Sequence, residues 1–413
     1  MKQKITQMLE GIIYKLSVKV FLKTTLYRHT EAIVGLENLP AEGPYILIAN
    51  HQSFFDHFLT ATVNRHVFQQ KIYFLTRKES FETFHSRVWH NATGAIPIDR
   101  EKPDMNSFRQ IFKTLQDGNV VVIYPEGTRG SGESLAEFKL GAFKIASRMG
   151  VPIISAGILD SRQVMPKGSR WFKDTKAKIA YSQAIDAQTV KKMDVNDLIE
   201  SCKNTINHLV YDENSPANDA IAKQKSTDFL TQKIDNQIEE ILYEGLNKTH
   251  LNKLSNIQDL IQVAFVNDER NIEARISDAR TLGLNLLVKN KLFFLLNFKQ
   301  LQHKINRIFE IDKDHPFGHY IQGQYYMGLP SILGGNHKKA LDSLEKAYST
   351  AKNYQIDPSI FALTYAKALK LNDKKQDAST VINFIKQYPA RADDLRLMRR
   401  KEKAQELLQS ISF

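Results

Sequence analysis

The stretch YILIANHQSFFD, residues 45–56, carries a strand pattern, a turn and the start of a helix in immediate succession. Its apolar run, residues 45–49, is short enough for a buried strand and breaks off at Asn50, a residue type that favours turns. A polar turn and a second apolar stretch follow, as at a strand-to-helix connection. The stretch therefore predicts one unit of an α/β fold.

The same alternation continues through residues 31–211. Short apolar runs recur at 71–76, 95–98, 120–124, 152–158 and 176–182. Helical patterns lie between them, such as SFRQIFKTLQDG closed by Gly118 and LGAFKIASRMG closed by Gly150. This order predicts a mainly parallel sheet flanked by helices, with ligands beyond the carboxyl ends of its strands. The run at 176–182 alternates in polarity and is predicted as an edge strand.

The second half of the chain has a different character. The polar segment YDENSPANDA, residues 211–220, indicates a linker, and the pattern after it is helical throughout. We therefore predict four parts of the chain: an N-terminal helix at 1–30, an α/β domain at 31–211, a linker at 212–226 and an all-α domain at 227–413. Two pairs of helices near the end are offset by 38 or 39 residues. They resemble tetratricopeptide-type hairpins, whose period is about 34 residues, although a plain helical bundle fits equally well.

Composition restricts the partners and the compartment. The 413 residues carry a formal net charge of +12, so the surface should attract anions. The sequence has no zinc-finger spacing, RNA-recognition signature or block of consecutive basic residues, and we expect no nucleic-acid partner. Cys202 is the single cysteine, which excludes an intrachain disulfide and fits a reducing compartment. Its polar helical context, without a neighbouring His, argues against a nucleophilic thiol.

Residues 1–30 have the pattern of a basic amphipathic helix. Lysines and apolar residues form two neighbouring rows with a spacing of four: Lys15, Lys19 and Lys23 beside Ile12, Leu16 and Val20. A spanning helix needs about 20 mostly apolar residues, and these lysines interrupt the pattern. A helix of this type can lie in the membrane interface, where each Lys contributes roughly 1 kcal/mol at an anionic surface. We expect peripheral membrane association on the cytoplasmic face; the alternative is a helix packed on the next domain with its lysines solvated.

The turn after the first strand allows two interpretations. His51 followed by Asp56 fits a general base with the carboxylate that orients it. Ser53 with Asp56 also fits a capping box, in which the acid only starts a helix. This stretch alone leaves both open.

Three further segments end or begin at predicted strand edges: GAIPIDR at 94–100, YPEGTR at 124–129 and GVPIIS at 150–155. Together with NHQSFFD, and with FKLGAF at 138–143, their order and spacing resemble the four blocks of the glycerolipid acyltransferase family. These are enzymes similar to 1-acylglycerol-3-phosphate acyltransferase. The resemblance covers roughly residues 30–185. Tyr124, where the family more often has Phe, and Ser155, where it usually has a second Pro, depart from the pattern.

The resemblance implies roles that suit the residues. A neutral imidazole at His51 can take the proton of an attacking hydroxyl, and Asp56 can fix its tautomer. Arg129 matches the phosphate-binding arginine of the family, and a guanidinium binds phosphate oxygens bidentately. Glu126 either orients acceptor hydroxyls or holds Arg129. The full predicted substrate-binding set is Lys78, Arg100, Glu126, Gly127, Thr128 and Arg129.

The implied reaction moves an acyl chain from acyl-CoA or acyl carrier protein to the free hydroxyl of 1-acylglycerol 3-phosphate, a membrane lipid. No metal and no cofactor beyond the acyl donor are implied. One alternative is a related acyltransferase whose acceptor is another lysolipid or glycerol 3-phosphate. Another is a membrane-tethered interaction scaffold whose C-terminal helices bind a protein partner. A protein partner of these helices is also compatible with an enzyme.

Overall fold

A computed structural model describes residues 8–13, 23–99, 105–169, 171–389 and 394–411. They form two compact units: Met1–Leu230 with Gln262–Glu269, and Thr231–Ile261 with Arg270–Phe413. Residues 212–226, predicted as a linker, contain the 3-10 turn Pro216–Asn218 and the first residues of a long helix.

The first unit is built on a seven-stranded sheet with the order β1-β7-β6-β2-β5-β3-β4. All neighbouring strands pair in parallel except β6 and β7, which confirms the predicted mainly parallel sheet. The strands are β1 Thr30–Val34, β2 Tyr45–Ala49, β3 Ile72–Arg77, β4 Ala95–Ile98, β5 Val120–Ile123, β6 Ile153–Leu159 and β7 Ala177–Tyr181.

The prediction of an edge strand at residues 176–182 is wrong. β7 lies between β1 and β6, and every residue of β7 except Lys178 is buried. The two edge strands are β4 and β1, and β1 is a strand that the sequence analysis did not identify. Alternating polarity shows that one face of a strand is polar, but the partners of a strand are set by contacts distant in sequence.

The centre of the sheet is covered by helices on both faces. All five residues of β2 are buried, with Leu47 in register with Val122 of β5 and Ile154 of β6. The helices of the first unit are α1 Lys23–Arg28, α2 Phe55–Phe68, α3 Phe84–Ala92, α4 Met105–Gln116, α5 Gly141–Met149, α6 Ser161–Val164, α7 Ala187–Lys192 and α8 Val195–Tyr211. The helix end predicted at Gly150 is confirmed, because this residue caps α5 in the left-handed conformation at φ +61°.

The N-terminal segment is described only in part. Residues 8–13 are helical, as is α1, while Lys15 and Lys19 lie outside the described residues. The amphipathic helix therefore stays a prediction. Among the described residues, no helix combines the length and the apolar character that crossing a bilayer requires.

The second unit is helical, as predicted. Its helices, two of which also contribute residues to the first unit, are α9 Ala220–Glu244, α10 Leu251–Asn267, α11 Ile272–Val288, α12 Lys291–Phe309, α13 Pro316–Gly328, α14 His337–Thr350, α15 Ser359–Leu371, α16 Lys375–Gln387 and α17 Leu395–Gln409. The two predicted hairpins are α13 with α14 and α15 with α16. Gly323 lets the first pair approach closely, since a Cβ there would lie 2.4 Å from Cγ of Leu344.

Candidate active site

The parallel sheet brings the turns that follow four of its strands to one edge. β2, β3, β4 and β5 run in the same direction, so the turns after Ala49, Arg77, Ile98 and Ile123 all leave at their carboxyl ends. Ligands collect at this edge in open α/β sheets. The site is therefore a product of strand direction as well as of local sequence.

His51 and Asp56 meet directly at this edge. The His51 Nδ1 atom lies 2.8 Å from Asp56 Oδ2, and both residues are buried. An ionised carboxylate can only accept, so Nδ1 carries the proton and donates it to this hydrogen bond. The other ring nitrogen, Nε2, is left with a lone pair, which is the requirement for a base.

Asp56 also organises the turn that holds His51. Its Oδ2 accepts the backbone N–H groups of Gln52 at 2.8 Å and Ser53 at 2.9 Å, and Ser53 Oγ accepts the N–H of Phe55. The predicted capping box is only half present, because α2 has Phe54 as its N-cap with no side-chain cap hydrogen bond, while Asp56 accepts the N–H of Ser53. The same carboxylate holds the turn before α2 and the imidazole. Asp56 Oδ1 is buried and has no hydrogen-bond partner among the described residues.

Aromatic rings fix the plane of the imidazole. The His51 ring stacks on Tyr124 with 4.3 Å between centroids and 21° between planes. His57 lies edge-on to His51 at 5.2 Å and to Tyr124 at 4.9 Å. Burial raises the pKa of Tyr124 well above its ordinary value, so the ring stays neutral. Contact on one face and one edge leaves the imidazole little freedom to rotate.

Glu126 connects the loop after β5 to the loop after β2. Its Oε1 accepts the backbone N–H of His51 at 2.8 Å, and its Oε2 accepts that of Ala136 at 3.0 Å. The His51 carbonyl in turn accepts the N–H of Gly130 at 2.7 Å. Burial raises the pKa of Glu126, although the two N–H donors oppose that shift. This carboxylate therefore positions the backbone of His51 across 75 residues of sequence.

A further amide attaches the same turn to the neighbouring strand. Asn50 donates to the carbonyl of Ile158 at 2.8 Å and accepts the N–H of Ile158 at 2.7 Å. This pair of bonds continues the ladder beyond the end of β2. Asn50 ends the strand without leaving the backbone of β6 unpaired.

The predicted cationic residues occupy different settings. The Arg129 guanidinium lies over the ring of Phe54, with Cζ 4.0 Å from the centroid, and forms no ion pair with any carboxylate in the described ranges. Lys78 begins an exposed 3-10 turn after β3, and Thr128 is exposed beside the half-buried Gly127. Arg100 lies outside the described residues. Glu126 forms no hydrogen bond or ion pair with Arg129 among the described residues, so its contacts do not support the predicted role of holding Arg129.

An apolar cavity of about 220 Å³ opens beside His51. Apolar side chains of β3, β5, α4 and α5 line it, among them Leu75, Phe108, Ile111, Ala142 and Ile145. The residues nearest the chemistry that line it are His51, His57, Tyr124, Gly127 and Lys139. A mainly apolar space with an imidazole in its lining suits a hydrocarbon chain with a reactive group at one end.

Sequence reasoning did not single out Lys139 or His57. A Cβ added to Gly127, which has φ +71°, would lie 3.0 Å from Lys139 Nζ, so this ammonium sits against the turn after β5. Lys139 belongs to FKLGAF, which was noted as a motif without a role for its lysine. His57 follows Asp56 on the first turn of α2, and its position in the sequence gives no signal of a role. Its ring contacts with His51 and Tyr124 are visible only in the structure.

Residues 32–159 match the family model described as Acyltransferase. This range ends at Leu159, the last residue of β6, and contains the turns after β2, β3, β4 and β5 at the carboxyl edge of the sheet.

The related proteins carry the name 1-acyl-sn-glycerol-3-phosphate acyltransferase. The chloroplastic protein of Brassica napus is 31% identical over 140 residues, which are 33% of this chain and 39% of that protein. The protein of Bacillus subtilis is 28% identical over 153 residues, 37% of this chain and 72% of that one. The chain thus spans about two fifths of the length of the plant relatives that it matches.

The solved structure of the 1-acyl-sn-glycerophosphate acyltransferase PlsC of Thermotoga maritima aligns with this chain with a TM-score of 0.39 and 22% identity. The alignment covers 50% of this chain and 80% of that structure.

Proposed function

We propose that this chain, in which residues 32–159 form an acyltransferase-family domain, transfers an acyl chain from a thioester to the free hydroxyl of 1-acylglycerol 3-phosphate. The product is phosphatidic acid. The observation that carries the proposal is the 2.8 Å contact between His51 Nδ1 and Asp56 beside a mainly apolar cavity that His51 lines. The names of the relatives support the choice of acceptor.

The proposed chemistry is a direct attack without an acylated residue. The acceptor hydroxyl gives its proton to His51 Nε2 while its oxygen bonds to the thioester carbonyl carbon. The tetrahedral intermediate then collapses, the carbon–sulfur bond breaks, and the imidazolium protonates the leaving thiolate. A base positioned in this way contributes about 10²–10⁴ in rate.

In the proposed mechanism Asp56 acts on the imidazole rather than on the substrate. It holds the Nδ1–H tautomer and stabilises the positive charge that forms on the ring. Because Asp56 is also held by two backbone N–H groups, it stays in place as the ring charge changes. Tyr124 keeps the ring in its plane.

The two ends of the substrates would be bound by opposite kinds of surface. The acyl chain of the donor occupies the cavity lined by Ile111, Ala142 and Ile145. The phosphate of the acceptor binds Arg129, whose guanidinium is held open over Phe54 and has no competing carboxylate among the described residues. Lys78 and Arg100 are the further phosphate contacts that we propose.

We propose acyl-CoA or acyl carrier protein as donor, since both carry anionic groups that a chain of net charge +12 attracts. We also propose that the chain works at a membrane surface, on the cytoplasmic face, because its acceptor is a lipid. The basic pattern of residues 1–30 supports this placement.

The test is acyl transfer by the purified full chain, with oleoyl-CoA offered together with each of three acceptors. These are 1-acylglycerol 3-phosphate, glycerol 3-phosphate and lysophosphatidylcholine. His51→Ala is the decisive variant. His208→Ala is its matched control, because His208 Nδ1 makes the same 2.8 Å contact with Asp212 Oδ2 at an exposed position.

Product from 1-acylglycerol 3-phosphate that is lost in His51→Ala and kept in His208→Ala would support both the reaction and the base. Product from another acceptor alone would correct the substrate. Activity retained by His51→Ala would remove the proposed base. The absence of product with every acceptor, also with acyl carrier protein as donor, would favour the scaffold alternative.

A further inference from the structure

The second unit has an exposed apolar surface at the turn between α11 and α12. The side chains are Leu287 at 74% exposure, Leu292 at 64%, Leu295 at 55% and Leu296 at 68%. We call these four residues the leucine patch. Single exposed leucines are common on soluble proteins, but here four lie within ten residues, and two of them, Leu292 and Leu296, line the same groove.

The core of the unit does not need these leucines. Helix α12 packs inward through Phe298, Leu301, Ile305 and Ile308, all of which are buried. At about 100° per residue, positions 292 and 296 fall on the opposite side of the helix from those four, and position 295 lies at about a right angle to them. The helix is therefore apolar on two faces, and only one of them has a partner among the described residues of this unit.

The start of α12 is held rigidly. Asn290 caps the helix by accepting the N–H of Phe293 at 2.9 Å, and Lys289 lies over the Phe293 ring at 4.1 Å. An open groove of about 590 Å³ runs beside the patch and is lined mainly by apolar side chains. The leucines thus project from a fixed turn rather than from a frayed end.

The surroundings of the patch are positively charged. Between Asp278 and Glu310 the chain has no carboxylate and six Lys or Arg. Three of the six, Arg280, Lys304 and Arg307, are paired with acids. The flanking lysines, which we define as Lys248, Lys289, Lys291 and Lys299, form no ion pair with a carboxylate in the described ranges. Lys248 and Lys289 line the groove itself.

We propose that the leucine patch and the flanking lysines insert into the surface of an anionic lipid bilayer. An interfacial helix buries apolar side chains about 5–10 Å deep while its lysines meet the headgroups. The patch supplies the apolar part with its exposed leucines, and the flanking lysines, which form no ion pair with a carboxylate in the described ranges, supply the charge. The charge selects an anionic surface over a neutral one. This inference concerns a surface of the second unit and does not depend on the chemistry proposed for His51.

The direct test places a reporter within the patch of the full chain. Leu296→Cys is labelled with an environment-sensitive fluorophore, and Ile332→Cys, at a position of the same unit that is 92% exposed, is the matched control. The native Cys202 is fully buried, so labelling under native conditions is selective. The probes are vesicles of phosphatidylcholine alone and of phosphatidylcholine mixed equally with phosphatidylglycerol.

We expect a blue shift of the label at position 296 with the anionic vesicles, little shift with the neutral ones, and none at position 332. Co-sedimentation measures the fraction of the full chain that is bound to anionic vesicles. The triple variant Leu292→Gln/Leu295→Gln/Leu296→Gln should lower this fraction at least several-fold, because it removes apolar side chains from the patch. Lys289→Gln/Lys291→Gln should reduce binding about tenfold or more at low salt. The control Ile332→Gln/Leu371→Gln should bind as the parent chain does.

Two outcomes would overturn the proposal. The first is a label at position 296 that shows no shift with either type of vesicle. The second is a shift that needs no lipid and grows with protein concentration, which would assign the patch to a second copy of the chain. Acyl transfer to detergent-dispersed acceptor should be unchanged in the patch variants, so failure of this proposal and failure of the proposed reaction are distinguishable.

Discussion

Asp56 Oδ2 lies 2.8 Å from His51 Nδ1 and accepts the backbone N–H groups of Gln52 and Ser53 at the same time. Three donors converge on one buried oxygen, so the carboxylate cannot turn away from the imidazole without losing the start of α2. The orientation of the proposed base is therefore tied to the stability of the turn that carries it.

Asp56→Asn should leave the fold intact and lower kcat by about 10²–10⁴. The amide oxygen can still accept the backbone N–H groups, but a neutral amide does not stabilise an imidazolium. Steady-state kinetics and circular dichroism of the same preparation test this. Asp212→Asn, in the exposed pair with His208, is the control and should keep full activity. Equal activity of Asp56→Asn and the parent chain would contradict the orienting role.

Arg129→Ala should raise KM for 1-acylglycerol 3-phosphate about tenfold to hundredfold, since a charge-assisted hydrogen bond contributes roughly 1.5–3 kcal/mol. KM for the acyl donor should change little. The matched control is Arg148→Ala, because the Arg148 guanidinium also lies over a phenylalanine, Phe112, at 5.8 Å. If the donor KM rises as much as the acceptor KM, Arg129 does not bind the acceptor phosphate specifically.

Ala142→Phe should shift donor preference toward shorter acyl chains. Ala142 lines the cavity of about 220 Å³, and a ring at this position would fill part of that volume. We expect the kcat/KM ratio of hexadecanoyl-CoA to decanoyl-CoA to fall at least about tenfold. Ala142→Ser, which nearly conserves volume, should keep the original ratio. A uniform loss with every donor would indicate damage to the fold instead.

Stability should depend on pH through Glu126. Burial raises the pKa of this carboxyl above 4.5, so the folded state holds its proton more tightly than the unfolded state does. The stability that the protonated form confers is complete below about pH 4.5 and is lost as pH rises through the raised value.

Urea unfolding of the parent chain and of Glu126→Gln from pH 4.5 upward measures this contribution. The variant should lose about 1–3 kcal/mol, because a side-chain amide has one acceptor oxygen for the two N–H groups of His51 and Ala136. The deficit of the variant should shrink as pH rises. The exposed Glu133→Gln is the control, and a deficit constant with pH would contradict the prediction.

Cys202 should be unreactive in the folded chain. Burial raises the pKa of this thiol to about 11, so only about one molecule in a thousand carries a thiolate near pH 8. A chromogenic thiol reagent should detect no cysteine in the native protein and one per chain in denaturant. Rapid native labelling accompanied by loss of activity would show that the thiol is accessible and near the site.

The local sequence was sufficient for most elements of the first unit. Apolar runs at residues 45–49, 95–98 and 120–124 each contain a strand, and Gly150 ends α5 as its position after the helical pattern predicts. Such features depend on propensities and turn chemistry within a few residues. The same locality explains why β1 was missed and β7 was assigned to the edge, because pairing partners are about 145 residues apart in β1 and β7.

The sequence by itself determined which residue types carry the chemistry: a His and an Asp five positions apart, a Glu-Gly-Thr-Arg turn, and apolar strands that end beside them. Only the tertiary structure decided what these groups touch. It ties Glu126 to the backbone of His51, stacks Tyr124 on the imidazole and brings Lys139 to the cavity. The physical reason is that hydrogen bonds and ring contacts act over a few ångströms, while the residues that make them are brought together by the parallel pairing of β2 with β5.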